Sequence, residues 1–214
     1  MCSRFEAPTN ARIQETFGIA PDREIDQLEI WPGRLAPFLR SGPVITDEGG
    51  DQPSVEALIG TFGLLPFWAE DKLARSTYNA RSETVTERRS FQSAWKKAQH
   101  AIIPVEAFYE PDWRSGKVVP TRFTRKDGEL IGVAGLWEER KTVSGIQHSF
   151  TMLTVNADDH PLLNQYHKLT DEKRMIVLLP KGSYRDWLNC SAAESFEFMR
   201  QYPADRLEVE PVAR

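Results

Sequence analysis

Cysteine is scarce: Cys2 and Cys190 are the two in 214 residues. So small a number excludes a disulfide framework. With no secretory leader in view, it predicts a reducing, cytoplasmic setting. Long apolar runs are missing too. A stretch such as GLLPFWA (63–69) falls far short of a bilayer span, so no membrane partner is expected. The four histidines show no zinc spacing and there is no paired-cysteine motif, so neither a metal nor an organic cofactor is expected. Positive charge is not in excess. The net charge is -4 and the pI about 5.7, whereas domains that grip nucleic acid are ordinarily basic. Any such binding must rest on a local basic groove. Internal repeats and low-complexity tracts are also lacking.

What remains is an ordinary globular composition, with enough apolar residues to build a real core. One domain over residues 1–214 and a monomer are expected. ARIQETFG (11–18) reads as a short helix ended by Gly18. Residues 83–99 space Val85, Phe91, Trp95 and Ala98 as one helical face, with Arg88, Arg89, Lys96 and Lys97 on the polar side. Strands are expected at AIIPV (101–105), KVVPTRFTR (117–125), ELIGVAGLW (129–137), QHSFTMLTV (147–155) and RMIVLLP (174–180). The Asp-Gly pair in RKDGE predicts a hairpin between the second and third. SGPVITDEGGDQPS (41–54) reads as a long surface loop, and SYRDWL and AAESFEFMRQ as short helices. Successive strands without intervening helices predict an α+β fold. Its sheet should be mainly antiparallel, twisted and barrel-like, with flanking helices.

Five stretches carry reactive or recognition chemistry: MCSRF (1–5), GLLPFW (63–68), NARSET (79–84), IPVEAFYEP (103–111) and HPLLNQYHKLTDEKRM (160–175). Each has a plain structural reading as well. Trp68 and Phe108 fit a core, and Asn79 a turn or cap. Arg81 and Glu83 fit a solvated pair, Glu110 an exposed strand end, and His160 and His167 structural roles.

Taken together and in this order, the stretches resemble the SRAP family. These are SOS-response-associated peptidase-like proteins that crosslink to abasic sites in single-stranded DNA. The resemblance covers nearly the whole chain. It rests on the N-terminal Met-Cys, on FGLLPFW, NARSET and PVEAFYEP, on VAGLWEE and FTMLTVNA, and on a histidine ahead of Arg174-Met175. It implies that Cys2, once Met1 is removed, is the covalent residue. It implies that Asn79 holds the reacting terminus, Glu110 is the acid/base carboxylate and His167 the active-site histidine. The implied DNA contacts are Arg4, Arg81 to phosphate, and Pro66, Phe67 and Trp68 against bases.

The chain also departs from the family pattern. KLTDEK separates His167 from Arg174, where the family commonly has about two residues, and this leaves His160 as a rival. Ala107, Pro111 and Phe62 stand where Gly, Trp and Trp are usual. The last two changes are expected to alter base stacking.

The position of Cys2 has its own logic. Without Met1, Cys2 carries an α-amine beside a thiol, and both can reach one aldehyde carbon. The expected activity is enzymatic crosslinking to abasic single-stranded DNA. Two other readings share part of the pattern: an N-terminal-cysteine amidohydrolase or peptidase, and a non-enzymatic single-strand binding module.

Overall fold

The β-branched and aromatic segments of the chain become strands, and the strands fall into two sheets. The computed structural model describes residues 2–47, 50–168 and 170–212. Its strands are β1 (Phe5–Glu6), β2 (Glu29–Ile30), β3 (Leu35–Asp47), β4 (Gly50–Phe62), β5 (Asn79–Arg81), β6 (His100–Val105) and β7 (Ala107–Asp112). They continue with β8 (Val119–Arg125), β9 (Ile131–Thr142), β10 (Gly145–Asn156), β11 (Arg174–Ile176), β12 (Leu178–Leu179) and β13 (Leu207–Pro211). The α-helices among the described residues are α1 (Asn10–Phe17), α2 (Gln92–Lys96) and α3 (Tyr184–Asn189).

The larger sheet closes on itself. β10 pairs with β4, β4 with β3, β3 with β6, β6 with β9, and β9 again with β10. Closure removes the unpaired edges that an open sheet exposes. β5, β11 and β12 extend this barrel, and a smaller sheet runs β13-β8-β7-β1-β2. The α+β, mainly antiparallel, barrel-like architecture is thus the observed one. β4 and β5 run parallel to β10 as exceptions.

Phe5 joins the sheets. Its ring meets Phe62 edge-on at 5.2 Å, and Phe62 stacks on Phe150 at 5.6 Å. One hydrophobic core therefore spans both sheets. Burying a phenylalanine is worth roughly 1.5–3 kcal/mol, so Phe5 ties the N-terminal strand firmly to the barrel. Cys2, three residues upstream, is 1% exposed and no loose tail. Phe62 is wholly buried, so it packs the core and does not stack on bases.

Several local expectations hold and several fail. α1 ends at Gly18, which adopts a left-handed φ of 77° and donates its N–H to the Gln14 carbonyl. This is the cap a glycine makes without strain. Residues 41–54 are not a loop, because the described part belongs to the β3–β4 hairpin. Pro43 falls where the register shifts between Ser41 and Val44, an irregularity at which proline is tolerated. Residues 83–99 hold only the short α2. The β-branched Thr84, Val85 and Thr86 lie in successive turns, consistent with their poor helix propensity. Val85, Phe91 and Trp95 are nonetheless buried. The turn at Asp127-Gly128 forms, but it carries the chain between sheets. β8 pairs with β7 and β13, while β9 pairs with β6, β10 and β12. The run 174–180 divides into β11 and β12, and Glu194–Phe198 forms a 3-10 helix.

Gly63 sets the exit from the barrel. Its φ is 126°, its N–H donates to the Phe150 carbonyl at 2.8 Å, and a Cβ there would collide with the Ala74 backbone. Gly63→Ala is expected to cost more than about 2 kcal/mol, seen as a fall in Tm of at least roughly 4 °C. An unchanged Tm would show that this exit relaxes freely.

Candidate functional site

Cys2, Glu110 and His167 meet at β7. Register places Phe5 opposite Phe108, and Tyr109 donates its N–H to the Arg4 carbonyl at 3.0 Å. The chain upstream of β1 is thereby laid along the stretch that carries Glu110. Glu110 is 1% exposed, not at an open strand end. Its Oε2 lies 2.6 Å from His167 Nε2. At this distance the carboxyl group and the imidazole are in direct polar contact. The backbone around His167 is specialised for it. His167 has φ 64°, uncommon for a residue with a side chain, and its N–H donates to the Pro111 carbonyl at 2.8 Å.

Cys2 sits beside this pair. Burial pushes its thiol up to about 12, and the negative charge of Glu110 pushes in the same direction. The Sγ–H donates to the Arg4 carbonyl at 3.4 Å. Tyr78 completes the neighbourhood. Burial raises its phenol above the ordinary value, and the charges of Cys2 and Glu110 add to that. Asn79 follows Tyr78 on β5. Its Nδ2 donates to the Tyr78 carbonyl at 2.9 Å. Its Oδ1 is buried with no hydrogen-bond partner among the described residues. A buried amide oxygen without a partner is unusual enough to mark a place where another donor is awaited.

The two histidines separate cleanly by geometry. His160 Nδ1 accepts from the N–H groups of Leu162 and Leu163, at 3.1 and 2.9 Å, and its Nε2 lies 2.8 Å from the Tyr202 carbonyl. It pins the turn that leads to His167. The KLTDEK excursion leaves His167 on Glu110, because Arg174 is anchored independently. Arg174 donates to both Glu83 oxygens, at 2.9 and 2.8 Å, and to the Thr154 carbonyl at 2.8 Å.

The residues expected to touch DNA are distributed unevenly. Phe67 is 85% exposed, and Trp68 is partly exposed with the Arg89 guanidinium 4.3 Å above its ring. Pro66 is buried and offers no surface of its own; it starts the turn that projects Phe67. Arg81 is paired with Glu172 at 2.6 Å, and not with Glu83. Arg4 is paired with Glu29 at 3.0 Å and lies over the Tyr109 ring at 3.9 Å. Phe108 belongs to the core. Sequence reasoning missed Tyr78, Glu172 and Trp31. An exposed aromatic in the turn-forming WPG was the available signal for the last. No group of three or more His, Cys, Asp and Glu that could hold a metal ion occurs among the described residues. No helix among them is long and apolar enough to cross a membrane.

Comparison with known proteins finds relatives along the whole chain. A family model described as SOS response associated peptidase (SRAP) matches residues 1–214. Abasic site processing protein YoqW of Bacillus subtilis (strain 168) is 31% identical over 222 residues, covering 100% of this chain and 92% of that protein. The crystal structure of a protein from Bordetella bronchiseptica is 42% identical, covers 100% of both chains and superposes with a TM-score of 0.85. A structure from Bacteroides thetaiotaomicron, 19% identical and covering 99% of this chain and 92% of that one, shares the fold at a TM-score of 0.76.

Proposed function

The chain belongs to the SRAP family, and from that membership we propose that it processes abasic sites by forming a covalent crosslink through Cys2 in single-stranded DNA. The observation that carries the reading is the Glu110–His167 pair at 2.6 Å beside a buried Cys2 whose thiol feels the Glu110 charge.

Met1 is removed first, freeing the Cys2 α-amine. An α-amine has a pKa of roughly 7.7–8.0, so about a tenth is neutral at pH 7. Glu110 exchanges a proton with the sugar ring oxygen and opens the hemiacetal to the aldehyde. The amine attacks that carbon, water leaves, and an imine forms. The thiol then adds to the imine carbon. Its proton passes to the former amine nitrogen, directly or through Glu110, and a five-membered thiazolidine closes. Having both nucleophiles on one residue makes closure effectively intramolecular. His167 orients Glu110 and relays protons. Asn79 offers its unpartnered Oδ1 to the amine, and Arg81 meets a flanking phosphate.

The thiol environment favours this route over amide hydrolysis. Burial and the neighbouring Glu110 charge hold the Cys2 thiol well above its ordinary range. A thiol held protonated disfavours attack on an unactivated amide, whereas a protonated imine can accept the sulfur in one ring closure as the thiol gives up its proton. Intact mass after mixing with an abasic single-stranded oligonucleotide tests the proposal. A product at the summed masses less one water supports it. Amide turnover without that adduct overturns it.

Glu172 occupies the place at Arg81 where a phosphate is proposed. The Arg81–Glu172 pair is half-exposed, and such pairs are worth only about 0–1 kcal/mol. A phosphate can displace it at small cost. Glu172→Gln is expected to tighten binding of undamaged single-stranded DNA about threefold and to steepen its salt dependence. Equal or weaker binding would mean that Glu172 holds Arg81 in place for DNA and does not compete with it.

A further inference from the structure

Among the basic residues around Cys2, those expected to meet phosphate already have carboxylate partners. Arg4 is held by Glu29 and Arg81 by Glu172. Arg34 differs. It is exposed, and its guanidinium has no ion-pair or hydrogen-bond partner among the described residues. It shares a cleft of about 470 Å³ with Gln27, Leu28, Glu29 and Trp31.

Trp31 is the other unusual member of that cleft. It is 46% exposed, and the Arg4 guanidinium lies 5.6 Å from its ring centroid. Its indole N–H donates to Glu29 Oε1 at 3.0 Å, and Glu29 in turn holds Arg4. The ring is thereby fixed in orientation while one side stays in solvent. The turn that carries it is rigid. Arg34 donates its N–H to the Trp31 carbonyl at 3.0 Å, Gly33 donates to the Phe62 carbonyl at 2.7 Å, and Phe62 donates to the Arg34 carbonyl at 2.8 Å. Gly33 supplies the φ of 89° that this turn needs. The carbonyl of the same Arg4 accepts the Cys2 Sγ–H at 3.4 Å. One residue therefore links the platform to the reactive thiol.

We propose that Trp31 and Arg34 form a nucleotide subsite for the base and phosphate flanking the abasic residue, with Arg4 acting as the residue that positions Trp31. This rests on the reading of the Cys2 pocket given above. A rigid, half-exposed indole offers a π-face to any base, and an unpaired guanidinium beside it offers the matching charge for one phosphate. The adjoining cleft brings Glu24 and Asp26 in with Arg23. Those two carboxylates disfavour a second phosphate on that side, which limits the subsite to about one nucleotide.

The test uses single strands carrying a tetrahydrofuran analogue of the abasic site, which has no aldehyde and reports binding alone. Nucleotides are trimmed singly from either side of the lesion. In the wild-type protein, removal of one particular flanking nucleotide should weaken binding about tenfold. In Trp31→Ala that removal should have no further effect, and Trp31→Phe should retain the wild-type step. Arg34→Ala should reduce the salt slope by about 0.7. A parallel reaction with a true abasic strand reads the Cys2 adduct. If the adduct forms and every trimmed strand binds Trp31→Ala as it binds wild type, the subsite is wrong and this face serves something other than DNA. If wild type neither binds nor crosslinks, the reading of the pocket fails and takes the subsite with it.

Discussion

Cys2→Ala is expected to lower the yield of heat-stable adduct with an abasic strand by at least about 100-fold, while an imine trapped by borohydride still forms. The variant keeps a small second residue, so Met1 is still removed and the α-amine survives. What is lost is the thiol that closes the ring. An imine hydrolyses readily, so heating without reductant should release the DNA. Folding should be little disturbed, because the change removes one buried sulfur while the Phe5 ring keeps its contact with Phe62. A second form, verified by mass to retain Met1, should fail in both assays, since its Cys2 nitrogen is an amide. An unreduced Cys2→Ala adduct that survives heating would refute the thiazolidine. Efficient crosslinking by the Met1-retaining form would refute the amine step.

The order of motifs along the chain was enough to identify the family, yet it did not show how the parts meet. Cys2, Asn79, Glu110 and His167 are spread over most of the sequence. Cys2 is brought to Glu110 because β1 docks between β2 and β7, which no local pattern announces. Local signals held where the physics is local. Gly18 caps α1 because its left-handed φ needs no partner elsewhere. Asp127-Gly128 makes its turn, but pairing beyond the turn was decided by the two sheets competing for β8 and β9. The apolar spacing of Val85, Phe91 and Trp95 reported burial correctly and helix wrongly. Burial needs only a periodic face toward the core, whereas a helix also needs favourable residues between. Carboxylates were the least legible part. Nothing near Arg4 or Arg81 in sequence reveals that Glu29 and Glu172 neutralise them.

Glu110→Gln is expected to slow crosslinking about a hundredfold with DNA affinity nearly unchanged. The amide keeps the shape of the carboxyl group but cannot exchange a proton, and a positioned acid or base contributes typically about 10²–10⁴ in rate. If ring opening is the step it serves, a pre-opened aldehyde should recover part of the lost rate. His167→Ala should also slow the reaction, since it strips Glu110 of its 2.6 Å partner. The two losses should not multiply in the double variant, because both act through one proton-transfer unit. His160→Ala should behave differently. Its ring satisfies Leu162, Leu163 and the Tyr202 carbonyl, so removing it leaves buried groups unpaired at about 1–3 kcal/mol each. That loss appears chiefly as a lower Tm. Below its melting transition the variant should retain most of the wild-type rate. Should folded His160→Ala crosslink more slowly than folded His167→Ala, the catalytic histidine is His160. Should neither Glu110→Gln nor His167→Ala change the rate, the pocket takes no part in the chemistry, and Cys2 reacts as an exposed aminothiol once Met1 is gone.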